Sequence, residues 1–185
     1  MMRHRLYILV EGPDDERFFR HVLQPHLEST HQSVRIVTYS QRPRKRLEAL
    51  LKGIHAEGAD YIYVCDINSC PCVTARKETV TASVSGLKES QMVVVVPEIE
   101  SWYLAGVDDE SGRALRLRPP VDTNSITKEA FNSLIPQRFS VRTDFMVEVL
   151  KSFSLAPCAG MPRSPISFAD SGSAKSERVA QTRES

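Results

Sequence analysis

Three acidic residues each follow a short apolar run of the chain. Glu11 follows the run at 6–10, Asp66 follows the run at 61–65, and Glu98 comes one proline after the run at 92–96. Carboxylates that gather in one place repel one another unless a cation lies between them. Because the candidate ligands are oxygens, without paired His or Cys, the residue types favour a hard ion such as Mg²⁺ or Mn²⁺.

Glu11, Asp66 and Glu98 are therefore candidate catalytic residues, and with Asn68 and Glu100 they are candidate metal ligands. A carboxylate-bound metal suits phosphoryl transfer, in which the ion neutralises phosphate charge and a carboxylate moves a proton. The alternative is structural. Acids are common after strands as turn formers, and Asp66 could begin a turn with Asn68.

The acids depend on alternating strands and helices for their placement. Four runs predict strands, at 6–10, 34–39, 61–65 and 92–96. Helical patterns lie between them, at 14–23, at 47–54 and, more weakly, at 74–90.

Single residues mark the ends of these predicted helices. Asp14 and Asp15 suit the first turn of the first helix, mainly as caps, and Pro25 predicts its end. Gly58 predicts the end of the second helix. Strands that alternate with helices form a parallel sheet, whose carboxyl ends share one edge. We therefore expect Glu11, Asp66 and Glu98 to converge there.

The pattern changes after Pro97 to helices separated by an irregular loop. Helices are predicted at 98–105, 127–134 and 143–153, with an Arg- and Pro-bearing loop at 112–120. The expected organisation is an α/β domain at 1–106, a helical extension packed on it at 107–156, and a Ser/Pro-rich, largely disordered tail at 157–185.

Basic residues form two clusters. The first comes just after the second strand and consists of Arg42, Arg44, Lys45 and Arg46. The second is the stretch that contains Arg113, Arg116 and Arg118. Both could hold phosphates beside a metal and make binding salt-dependent, or they could be solvated surface charge.

The composition narrows the class of protein. Of the 185 residues, 41% are hydrophobic and 25% are charged. The net charge is only +1, and this near-balance of charges excludes a uniformly basic nucleic-acid coat protein. No apolar run approaches the ~20 residues that span a bilayer. With no export signal and four cysteines, which indicate thiols rather than a disulfide framework, we expect a cytoplasmic protein without membrane contact.

Two familiar kinds of site do not fit the chain. The spacing of Cys65, Cys70 and Cys72 lacks the paired C-x-x-C pattern of a zinc site. Neither a Walker A motif nor a G-x-G-x-x-G motif occurs, which argues against a nucleotide hydrolase built on those loops.

Three segments together resemble the Toprim-related proteins: ILVEGPDDE at 8–16, VCDIN at 64–68 and VPEIESW at 96–102. The similarity is greatest to the small Toprim-like proteins allied to OLD-type nucleases. It extends over about residues 5–168, with TKEAFNSLIP at 127–136 and SPISF at 164–168.

The resemblance implies a Rossmann-like Toprim fold with a central parallel sheet of about four strands and a helical C-terminal extension. It implies that Glu11 is a metal ligand or general acid/base and Asp66 a metal ligand, and that an acid of the Glu98–Glu100 segment completes the site. The chain departs from the family's Asp-x-Asp pair because Asn68 stands at its second position.

The expected function is that of an Mg²⁺- or Mn²⁺-dependent nuclease or phosphotransferase. Its expected partner is nucleic acid, DNA rather than RNA, and the resemblance suggests phage or mobile-element defence with a partner ATPase or a homodimer. The alternative is a non-catalytic nucleic-acid-binding or regulatory module on the same fold. The uncharged Asn68 favours that alternative.

Overall fold

The centre of the molecule is a parallel sheet of four strands, in a computed structural model that describes residues 4–118, 120 and 122–154. The strands are β1 (Arg5–Val10), β2 (Ser33–Thr38), β3 (Asp60–Asp66) and β4 (Met92–Val95). They lie in the order β2-β1-β3-β4, and every neighbouring pair is parallel. The predicted α/β fold with a parallel four-stranded sheet is confirmed, and the architecture is consistent with a Rossmann-like fold.

Strand β1 is covered on both faces, as its continuous apolar run predicts. Leu6, Ile8 and Val10 belong to one hydrophobic cluster, whereas Tyr7 and Leu9 belong to the other. Successive side chains of a strand point to opposite faces, so an uninterrupted apolar run needs helices on both sides of the sheet.

Helices cover both faces of the sheet. In chain order the helical segments are α1 (Pro13–Phe18), a π-helical turn (Phe19–Leu23), α2 (Gln24–Leu27), α3 (Arg44–Ala56), α4 (Val73–Ser83), a 3₁₀ turn (Glu89–Gln91), α5 (Ile99–Ala105), α6 (Asp109–Leu115), α7 (Lys128–Ser133) and α8 (Arg142–Lys151). Helices α3 and α4 share a cluster with Tyr7 and Leu9. Helices α1, α5, α6, α7 and α8 contribute to the cluster on the opposite face.

Helix α3 ends as its sequence predicts. Gly58 has a φ of 63°, a left-handed conformation that glycine adopts without steric cost. The Ala59 N–H donates to the Ile54 carbonyl at 3.1 Å, and the Gly58 N–H donates to the His55 carbonyl at 3.1 Å. This pair of bonds satisfies carbonyls that the end of a helix would otherwise leave without partners.

The prediction that Pro25 ends the first helix is wrong. The chain stays helical through the π turn and α2, as far as Leu27. Pro25 lies in the first turn of α2, where its missing N–H does little harm. The Gln24 N–H donates to the Phe19 carbonyl five residues earlier, and this wider turn accommodates the proline.

The predicted loop at 112–120 is also partly wrong, because α6 occupies its first residues. Asp108 caps this helix: its Oδ1 accepts from the Ser111 N–H at 2.8 Å. Gly112 is buried within the helix, and Arg116 follows it with a φ of 56°. Gly112, the first residue of the predicted loop, is thus part of a short helix.

The helices after residue 106 share a core with the sheet. Phe131, Phe145 and Val149 have no solvent exposure, and they belong to the same cluster as Ile8 and Val64 of the strands. In the part of the chain that the structure describes, no helix is long and apolar enough to cross a membrane. The predicted tail at 157–185 lies outside the described residues, as does the SPISF segment.

Candidate functional site

Glu11 and Asp66 lie beside each other at one edge of the sheet. Glu11 directly follows β1, and Asp66 is the last residue of β3, the strand next to β1. The chain crosses from β1 to β2 on one side and then returns past β1 to β3, so the strand order reverses between β1 and β3. Open α/β sheets bind ligands at this reversal, outside the carboxyl ends of the strands.

Each of these two carboxylates has a buried oxygen without a partner. Oε2 of Glu11 and Oδ1 of Asp66 are inaccessible to solvent and accept no hydrogen bond in the described structure. A buried polar atom left unpaired costs about 1–3 kcal/mol, so such atoms call for an explanation. Two of them at the strand reversal indicate a place for a ligand that donates protons or carries positive charge.

The electrostatics of Asp66 show that the predicted acids converge. Burial is the largest cause that raises the pKa of Asp66 to about 8. The negative charges of Asp15, Glu11, Glu100 and Glu98 raise it further, in that order. Acids that follow β1, lie in α1 and lie at the start of α5 therefore act on the carboxyl group at the end of β3. We call this set, Glu11, Asp15, Asp66, Glu98 and Glu100, the carboxylate edge.

Asp15 has the capping role that its position predicts, and it is also part of the carboxylate edge. Its Oδ2 accepts from the Gly12 N–H at 3.0 Å, before the first turn of α1. The residue is only 6% exposed. Burial raises its pKa to about 6, against the lowering effect of the hydrogen bond from Gly12. The helix cap thus holds a second carboxyl group beside Glu11.

Glu98 lies at the edge, with one carboxylate oxygen already engaged. It is the N-cap residue of α5 and follows the cis peptide bond between Val96 and Pro97. Its Oε2 accepts from the Lys128 N–H at the start of α7. The carboxylate therefore joins α5 to α7 and has one oxygen left for a ligand.

Glu100 contacts a cation that the sequence analysis did not single out. The Arg142 guanidinium at the start of α8 forms ion pairs with Glu100 and with Asp14. Its Nε donates to Oδ1 of Asn132 at 2.9 Å. Glu100 was predicted as a metal ligand, yet its Oε1 is held by this arginine.

Nothing in the sequence around Arg142 indicates this contact. The residue lies 42 positions from Glu100 and 128 from Asp14, so no short motif contains the group. Arg142 joins α8 to α1 and α5, and it positions the C-terminal helices against the carboxylate edge.

Asn68 lies on the turn after β3 and is exposed. Its φ is 51°, and the Cys70 N–H donates to the Ile67 carbonyl at 3.2 Å across the turn. Asparagine adopts a left-handed conformation more readily than most residues, so the turn accounts for its presence. The alternative interpretation, in which Asn68 belongs to a turn after Asp66, therefore has a geometric basis.

The first basic cluster, which we call the α3 basic cluster, consists of Arg42, Arg44, Lys45 and Arg46, and all four are exposed. The loop before α3 is tied to the carboxylate edge, because the Ser40 N–H donates to the Glu11 carbonyl at 3.1 Å. Arg42 donates to the Thr38 carbonyl at 2.8 Å, and Arg44 pairs with Glu48 at 3.0 Å. The cluster thus lies at the same end of the sheet as Glu11.

The donor set decides which metal could bind. Within residues 4–118, 120 and 122–154, no three Asp, Glu, His or Cys side chains form a ready-made metal cluster. The unpartnered oxygens of Glu11 and Asp66 nevertheless fit a hard cation, which takes its remaining ligands from water or phosphate. The three cysteines that the structure describes offer no such set: Cys65 is buried in β3, and Sγ of Cys72 accepts from the Ala75 N–H.

No protein family, curated protein or solved structure matches this chain. The interpretation of the carboxylate edge therefore depends on its own residues. These are two unpartnered carboxylate oxygens at the strand reversal, three further acids around them, and exposed basic residues at the same end of the sheet as Glu11.

Proposed function

We propose that this protein is a Toprim-like, metal-dependent nuclease or phosphotransferase that acts on nucleic-acid phosphodiesters. The observation that carries the proposal is the pair of buried, unpartnered oxygens of Glu11 and Asp66 at the strand reversal. A purely structural carboxylate at a strand end would have a hydrogen-bond donor, as Asp15 has in Gly12.

The proposed roles follow from the surroundings of each residue. Glu11 and Asp66 hold Mg²⁺ or Mn²⁺, and the free oxygen of Glu98 contributes to the site or moves a proton. When bound, the ion supplies charge neutralisation at the phosphate and lowers the pKa of a bound water. Without a cation, burial and four neighbouring acids hold the pKa of Asp66 at about 8.

The α3 basic cluster would position the phosphodiester backbone beside these acids. Lys45 and Arg46 form no ion pair among the described residues, although the charge of Lys45 helps to lower the pKa of Glu48. Arg44 forms an ion pair with Glu48. Unpaired, exposed cations at the end of the sheet that holds Glu11 would bind phosphates without sequence preference and make affinity fall with salt.

Two observations favour a second candidate, a non-catalytic nucleic-acid-binding or regulatory module. Asn68 supplies no negative charge and has a turn role, and Glu100 is neutralised by Arg142. A site that retains only Glu11, Asp66 and part of Glu98 would hold a metal more weakly than a complete cluster of acids.

The test compares cleavage by the wild type with that by Glu11→Gln and Asp66→Asn. Plasmid and single-stranded DNA and RNA are incubated with Mg²⁺, with Mn²⁺ or with EDTA. We expect metal-dependent cleavage that falls by at least ~100-fold in both variants, the scale of losing an acid–base or metal-binding group. Asp60→Asn is the matched control, since Asp60 is exposed at the opposite end of the strand that carries Asp66.

Two other outcomes contradict the enzymatic proposal. Equal cleavage by all four proteins would identify a contaminating nuclease. Salt-dependent binding of nucleic acid without cleavage under any metal condition would support the binding module instead.

A further inference from the structure

A second basic surface is assembled from two separate segments of the chain. We call it the α6 arginine cluster; it consists of Arg113, Arg116, Arg118 and Arg138. All four are exposed, and Arg138 donates to the Ala114 carbonyl at 3.3 Å, which brings it to the end of α6. None of the four forms an ion pair with an acid of the described ranges.

The direction of the helices places this cluster toward the carboxylate edge. Helix α8 begins at that edge, because Arg142 pairs with Glu100 and Asp14. Helix α6 runs the opposite way: Ser111 near its start donates to the Ser152 carbonyl just after α8. The end of α6 therefore returns toward the beginning of α8.

The fold does not require arginine at the positions after α6. Leu115 and Leu117 are buried and do the packing, while Arg116 and Arg118 alternate with them and face solvent. Arg116 has a φ of 56°, a conformation in which glycine would be less strained. Residues 112–118 include three arginines and no acidic residue, so this segment carries positive charge that packing does not explain.

The two basic clusters lie on opposite faces of the sheet. Helix α3 packs against the face that contains Tyr7 and Leu9, and Leu115 and Leu117 of the α6 region pack on the other. The carboxylate edge lies between the two helical layers. With helices ~10 Å in diameter and a sheet between them, the clusters are on the order of 20 Å apart, a distance that a strand of several nucleotides spans and a single nucleotide does not.

We propose, on the basis of the function proposed above, that the α6 arginine cluster is a second phosphate-binding surface. A polynucleotide strand crosses the carboxylate edge from the α3 basic cluster to the α6 arginine cluster, and phosphates on both sides are held at once. The substrate is accordingly a nucleic-acid strand of several nucleotides rather than a mononucleotide.

The test measures binding of a fluorescent single-stranded DNA of about 20 nucleotides, longer than the span between the clusters, over a series of salt concentrations. EDTA is present throughout, so that cleavage does not contribute. Arg116→Gly combined with Arg118→Gln should weaken binding and lower the salt slope by about 1.4, since each single-strand phosphate contact contributes ~0.7. Arg44→Gln, Lys45→Gln and Arg46→Gln together should act additively with it.

The controls separate binding from folding and from overall charge. Arg116→Gly relieves the left-handed backbone, so unfolding in urea should show no loss of stability from that change. Arg5→Gln with Lys52→Gln removes the same charge from the start of β1 and from a later turn of α3, and it should leave the salt slope unchanged.

Two results overturn the proposal in distinguishable ways. If the α6 variant keeps the wild-type affinity and salt slope while the α3 variant loses both, the second surface is refuted and the proposed function stands. If the wild type binds neither DNA nor RNA in a salt-dependent way, the second surface and the proposed function both fail.

Discussion

Asp66 combines a structural and a chemical constraint in one side chain. Its backbone completes β3, and its carbonyl accepts from the Arg76 Nε at 2.8 Å. Its carboxyl group has one buried oxygen without a donor and lies among four other acids. A ligand that donates protons or carries positive charge would offset the cost of burying this group, a cost that an apolar residue at the same place would not incur.

The pKa of about 8 for Asp66 predicts how the free energy of unfolding depends on pH. Since the folded state binds this proton more tightly than the unfolded chain does, the stabilising contribution is complete below about pH 4 and is lost as the pH rises through about 8. Asp66→Asn cannot ionise. Relative to the wild type it should therefore gain free energy of unfolding as the pH rises between these values, by up to about 1.4 kcal/mol per pH unit.

Urea denaturation of both proteins at several pH values measures this difference. Asp60→Asn removes a carboxylate from the same strand and serves as the control for charge number. Mg²⁺ should raise the melting temperature of the wild type at pH near 8, and by less in Asp66→Asn, since a ligand that binds only the folded state stabilises it. A pH-independent difference between variant and wild type would contradict the burial of a titrating carboxyl group.

Among the helices, α5 and α8 are held together at both ends. At their beginnings Arg142 pairs with Glu100, and at their ends Phe153 lies against Gly106. The Phe153 ring also packs edge-on against Phe18 at 5.4 Å between centroids. The glycine is needed for close approach: a Cβ at position 106 would lie 2.3 Å from a ring carbon of Phe153.

Gly106→Ala should therefore destabilise the protein by about 1–3 kcal/mol, the usual cost of overpacking a core. The Phe153 ring packs edge-on against Phe18, so it would have to leave this contact to make room for the added methyl group. Gly53→Ala is the matched control, because nothing lies within 4 Å of a Cβ there. Gly53 is inside α3, where alanine should add about 0.5–1 kcal/mol.

The free energy of unfolding from urea titration decides between the two glycines. Equal effects of the two substitutions would show that helix propensity, and not the contact with Phe153, governs position 106.

Across the whole molecule, the segment after residue 106 completes the core of the sheet domain. Phe131 packs against Tyr103 at 6.2 Å between ring centroids, and Phe145 packs against Phe131 at 5.4 Å. These rings are fully buried and cover the face of the sheet that α1 and α5 share. The sheet domain and the helical extension are thus distinct in sequence but joined in one hydrophobic cluster.

A fragment of residues 1–106 should accordingly fail to fold by itself. Without α7 and α8 it would expose Trp102, Tyr103 and Phe18, and it would leave Asp14 and Glu100 without Arg142. Far-UV circular dichroism during urea titration should show a cooperative transition for the complete chain and none for the fragment. A sigmoidal transition of the isolated fragment would show that the extension is dispensable for folding.

Local patterns in the sequence were sufficient to predict the strands, most of the helices and the edge of the sheet at which the acids lie. Hydrophobic periodicity acts over neighbouring residues, and parallel connections leave all carboxyl ends on one side, so the convergence of Glu11, Asp66 and Glu98 follows from the order of elements. The same local reasoning placed the α3 basic cluster beside β2.

Only the packing of distant segments determined which of those acids are engaged. Arg142 reaches Glu100 and Asp14, the Lys128 N–H reaches Glu98, and α6 turns back toward the edge, all through contacts between residues far apart in sequence. Such contacts depend on how helices pack on the sheet, which no short motif encodes. Whether an oxygen of Glu11 or Asp66 is buried and lacks a hydrogen-bond donor likewise depends on the residues that pack around it, so only the tertiary structure identifies these two oxygens.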